Sequence, residues 1–162
     1  MTADPDRTVP AGTGGGGKLR GWRTALLAAI ARHRRFALSR GIAWGEYDCA
    51  MLAADCELAQ TGHDPAAPYR GRYQTRAAGL RLVQADGFAD YVDVFAARLP
   101  GIPVGHARTG DIVVIAGEPG AALGVVEGAN IHAYAMRPGG RVEDATFGVA
   151  PLLSATRAFR VG

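Results

Sequence analysis

The chain has 162 residues, of which 48% are hydrophobic and 20% charged; this fits one globular domain with a real core and excludes a fibrous or largely disordered protein. The formal net charge is only +3, and the arginines are scattered with no interleaved aromatics, so a nucleic-acid partner is not expected. Acidic residues nowhere cluster as in a metal loop, and neither a metal nor a cofactor is expected.

Residues 1–18 contain Pro5, Pro10 and the run Gly14 to Gly17, a composition that cannot bury enough surface to offset ordering entropy. A disordered Gly-rich tail is predicted there, ahead of a single domain over 19–162. Gly14 to Lys18 has the glycines of a phosphate loop, but no Ser or Thr follows Lys18 and no strand precedes it, so the segment reads as linker. From Arg20 to Arg40 apolar residues fall at helical spacing (Trp22, Leu26, Ala29, Ile30, Phe36, Ala37), and Gly41 ends the pattern. The apolar run Ala25 to Ala31 is too short to cross a bilayer, and it is followed by His33, Arg34 and Arg35, the wrong flank for a signal peptide. Neither membrane insertion nor export is expected, and synthesis and folding should be cytoplasmic.

Asp48 is a good N-cap for a helix from Cys49 to Gln60 that Gly62 ends. After a turn-rich segment to Tyr73, two more helices are predicted, Thr75 to Gln84 and Ala89 to Leu99, on either side of Asp86-Gly87. The character changes at Gly110. Asp111 to Ile115, Leu123 to Val126, Ile131 to Met136 and Ala158 to Val161 are short β-type runs, and the brief links Gly117 to Gly120 and Arg137 to Gly140 favour antiparallel hairpins. Helices first and strands second predict an α+β domain.

Cys49 and Cys56 are seven positions apart on one helix, roughly 10 Å, which is too far for a disulfide, and their spacing makes a poor zinc site. Cys56 reads as core. Cys49 has two readings. At a helix N-terminus the partial positive charge of the unpaired amides lowers a thiol's pKa and makes it a nucleophile; alternatively it is a packed small hydrophobe. A thiol hydrolase also needs a base within hydrogen-bond reach. His33, among arginines, and His63, in a turn, read as solvated. His106 lies before the first strand, and His132 lies mid-strand, pointing with Tyr134 and Met136. His132 is either a satisfied core residue or the partner of the thiol.

The stretches WGEYDCAMLAAD (44–55), TGHDPAAPYRGRY (61–73), TGDIVVIAG (109–117) and ALGVVEGANIHAYA (122–135) resemble a family of proteins encoded among phage and prophage tail genes. That family resembles the NlpC-type cysteine peptidases, which cleave bacterial cell-wall peptides. The resemblance implies a papain-like fold in which the Cys helix packs on a C-terminal antiparallel sheet. It also implies phage tail proteins and peptidoglycan peptides as partners. The cysteine of the family's DC pair falls on Cys49, its Gly-Asp strand start on Gly110-Asp111, and its histidine-orienting residue on His132. Where the base histidine would stand, this chain has Ala122.

The resulting candidate site has Cys49 and His132 as catalytic residues and Trp44, Asp48, Arg70, Arg72 and Tyr73 as substrate-binding residues. Arg70 and Arg72 offer forked contacts to a carboxylate or phosphate, or pair with nearby acids such as Asp64. Trp44 lines a cleft beside Cys49 or lids the core. Two functional expectations follow: a tail-associated peptidase or amidase acting through Cys49, and an inactive assembly module that retains the fold.

Overall fold

The computed structural model describes residues 17–117, 120–135, 141 and 144–162. The stretch 1–16, Met136 and the Arg137 to Gly140 link therefore lie outside the described residues, as does part of the Gly117 to Gly120 link. The architecture is α+β: four helices precede a six-stranded sheet in which every paired neighbour is antiparallel.

Helix α1 (Trp22–Arg40) buries Leu26, Ala29, Ile30, His33 and Ala37, one stripe at three- and four-residue spacing. Gly41 follows it at φ 73, a conformation that costs a residue with a Cβ. Helix α2 (Cys49–Thr61) starts where Asp48 accepts from the Met51 amide and ends at Gly62 in the left-handed region. Helix α3 (Arg76–Ala85) is capped by Thr75. Helix α4 (Tyr91–Ala96) is shorter than the predicted Ala89 to Leu99, because Asp90 caps it by accepting from the Asp93 amide.

The strands are β1 (Gly101–Ile102), β2 (Ile112–Ile115), β3 (Ala122–Glu127), β4 (Asn130–Ala135), β5 (Thr146–Pro151) and β6 (Arg157–Phe159), in the spatial order β1-β6-β2-β3-β4-β5. β1 and β5 were not predicted. The first is two residues long and shows no periodicity, and the second contains Gly148 and ends on Pro151, which suits an edge strand only.

One face of the sheet carries the helices. Leu52 and Cys56 of α2 pack with Leu26 of α1, Val125 of β3 and Tyr134 of β4, while Met51, Ala53 and Ala54 pack with α3, α4, Ile112 and Leu123. Val113, Val126, Ile131 and Ala158 face the other side, where Val104 and Leu152 from two 3-10 turns cover them. Because β2 is covered on both faces, it reads as an unbroken apolar run. Its start is clamped by buried Asp111, which accepts from the Arg108 and Val161 amides. Among the described residues, no helix is long and apolar enough to cross a membrane.

Candidate functional site

The loop before α2 is held by one carboxylate. Asp48 is buried, and besides capping α2 it accepts from the Gly45 amide at 2.9 Å and the Tyr73 hydroxyl at 2.7 Å. Its acceptor sites therefore face the protein, and its role in this geometry is to fix where Cys49 begins the helix. Gly45 sits at φ 83, and a Cβ there would come within 2.8 Å of the Tyr73 carbonyl oxygen, so the approach of the two segments depends on this glycine.

Cys49 is half-buried and lies on the wall between two cavities. The smaller, about 80 Å³, runs among α2, α3 and α4 and is lined mainly by apolar groups, including Met51, Leu80, Val83 and Phe95. The larger, about 400 Å³, is a cleft that passes over the ends of β2 and β3 at Ile115 and Ala122 and continues along Ala133, Ala135, Gly148 and Ala150. Trp44, Cys49, Arg76 and Tyr91 line both.

The electrostatics oppose activation of the thiol. Burial, followed by the negative charge of Asp48, pushes Cys49 up to about 11, and the Leu123 backbone N–H, the Arg76 charge and the Tyr91 hydroxyl only partly offset this. Desolvation and the capping carboxylate of its own helix thus set the direction of the shift. Cys56, fully buried and beside Asp55, has its thiol pushed further up, chiefly by burial.

Ala122 lines the same cleft as Cys49, and no histidine lines either cavity. His132 projects from β4, where its Nε2 donates to the Glu127 carboxylate at 2.6 Å, while its Nδ1 is buried without a hydrogen-bond partner. His106 is exposed in a 3-10 turn, and its carbonyl accepts from Arg160. Of the expected binding residues, Asp48, Tyr73 and Trp44 line the small cavity, and Trp44 the cleft as well. Arg70 lies off both cavities, paired with Asp64 at 2.7 Å and Asp55 at 2.6 Å, and Arg72 is exposed and donates to the Pro68 carbonyl.

One histidine departs from expectation. His33 is fully buried, with Nε2 2.7 Å from the Asp55 carboxylate and Nδ1 2.7 Å from the Tyr134 hydroxyl. A carboxylate only accepts, so the His33 Nε2–H donates to Asp55, while Nδ1 pairs with the Tyr134 hydroxyl. Burial raises the Asp55 carboxyl, but the hydrogen bond from His33 and the charge of Arg70 outweigh it and hold the group below the ordinary carboxylate value. Tyr134 also lines the cleft, so this polar chain ends at its wall.

Arg76 and Tyr91 are the cleft residues that sequence reasoning missed. They lie on different helices, and nothing in local spacing joins them to Cys49. Among the described residues, no group of three or more His, Cys, Asp or Glu side chains is placed to hold a metal ion.

No curated protein and no solved structure matches the chain. A family model described as a domain of unknown function (DUF6950) matches residues 17–161. The protein whose half-buried cysteine opens a helix between these two cavities belongs to the DUF6950 family.

Proposed function

We propose that this chain is a phage-tail-associated module of papain-like, NlpC-type shape, whose cleft binds a ligand without Cys49 acting as a nucleophile. The shape is supported by the placement of Cys49 at the start of α2, a helix packed on an antiparallel sheet. The tail association rests on the sequence resemblance. The non-catalytic half rests on one observation: no imidazole lines the cavities beside Cys49, whose thiol is pushed up to about 11. At neutral pH such a thiol is ionised in only about one molecule in ten thousand. Without a base, neither thiolate formation nor protonation of a leaving amine has a route.

Cell-wall digestion by the wild type and by Cys49→Ser, together with co-purification alongside neighbouring tail proteins, tests this reading. It predicts no difference between the two proteins in released peptide, and a stable complex with tail components. A monomer that digests cell wall and loses that activity in Cys49→Ser would overturn it.

A second reading, amide hydrolysis through Cys49, is favoured by a specific feature. The Leu123 amide and the Arg76 charge both stabilise negative charge at the sulfur, as a hydrolase requires. Cys49-dependent digestion would select it.

A further inference from the structure

We infer that the Arg76 guanidinium forms a carboxylate-binding site at the junction of the two cavities, with the small apolar cavity receiving the ligand's aliphatic group. This deepens the binding reading and rests on it.

Arg76 is the first residue of α3, where the helix's partial positive charge disfavours a cation and no acidic residue of the first turn compensates. Among the described residues no carboxylate lies within ion-pairing distance of it, whereas Arg32, Arg70, Arg98 and Arg160 each have one. Its guanidinium instead reaches over the cleft to Gly120, where an added Cβ would collide with Nη2. It is close enough to the Tyr91 hydroxyl and the Cys49 thiol to lower the pKa of each. The Tyr91 hydroxyl donates its one proton to the Ala121 carbonyl, so the anion receptor is the half-buried guanidinium itself, which has no counter-ion among the described residues.

The class of anion follows from the surroundings. One forked cation matches a planar monoanion, and the nearby negative charge of Asp48, which raises the Cys49 thiol, works against a dianion such as phosphate. The cavity behind these groups holds about 80 Å³ and is almost wholly apolar, which suits a short branched aliphatic group. The ligand is therefore a monocarboxylate with such a group next to the carboxyl end. A peptide C-terminus bearing an aliphatic side chain and a free short-chain acid share this chemistry.

Calorimetric titration of the full chain with N-acetyl-leucine, N-acetyl-leucinamide and isovalerate tests the site. The acid should bind at least about tenfold more tightly than the amide, the usual scale for a lost charge-assisted contact. Arg76→Gln should remove that preference, and Arg76→Lys should restore part of it. N-acetyl-leucine binding above isovalerate identifies a peptide terminus as the source, and the reverse identifies a free acid. Equal affinity for acid and amide, or no binding of any probe at millimolar concentration, would overturn the site. If Arg76→Gln does not fold, the acid-against-amide comparison on the wild type still decides. Cys49-dependent cell-wall digestion would instead overturn the non-catalytic reading and leave these titrations standing.

Discussion

His33 is held from both sides, by Asp55 on α2 and by Tyr134 on β4, so it ties α1 to its two neighbours at a point that water does not reach. Asp55 in turn accepts from Arg32 and pairs with Arg70. Because the folded-state pKa of Asp55 is depressed, its contribution to stability is present above the unfolded carboxylate value, near pH 4, and is lost as pH falls through the folded value. Asp55→Asn should accordingly cost about 3 kcal/mol near neutral pH, as expected when one partner of a buried charged network is removed. Urea denaturation at pH 7 and pH 3 checks this, and the gap from wild type should narrow at the lower pH. His33 was legible in principle, since it falls on the stripe Leu26, Ile30, His33, Ala37, but its arginine neighbours at 32, 34 and 35 masked that position. Asp48 and Cys49 were easier, because an Asp directly before an apolar helical run is a local capping signal.

At the scale of the element, the loop before α2 is built by close backbone approach. Gly45 and Gly71 both have positive φ, but a Cβ at Gly45 would meet the Tyr73 carbonyl, while one at Gly71 would enter open space. Gly71→Ala should cost about 1 kcal/mol from backbone conformation alone, whereas Gly45→Ala should cost about 3 kcal/mol and displace Trp44 from the cleft. Thermal denaturation and Trp fluorescence of the two variants check the difference. The helices were readable because their caps and stripes are local. β1 and β5 were not, because one is stabilised only by its pairing with β6 and the other by its pairing with β4.

Across the whole molecule, the last strand closes the first part of the sheet: β6 lies between β1 and β2, and the Arg160 amide donates to the Pro100 carbonyl beyond the end of that pairing. The cleft likewise gathers Trp44 from a loop, Cys49 from α2, Arg76 from α3 and Tyr91 from α4, against Ala122 at the start of β3. No sequence pattern brings these five positions together, which is why Cys49 and Trp44 could be anticipated and Arg76 and Tyr91 could not. The same gathering sets the state of the thiol, since desolvation and Asp48 raise it more than Leu123, Arg76 and Tyr91 lower it. The central claim, that Cys49 belongs to a binding cleft and is not an activated nucleophile, is therefore decided by one titration. Iodoacetamide alkylation at Cys49, followed by mass spectrometry across pH 6 to about 11.5, should be slow at neutral pH and rise with a midpoint near the folded thiol value of about 11. Rapid alkylation with a midpoint below the ordinary thiol value, near pH 8 or lower, would contradict it.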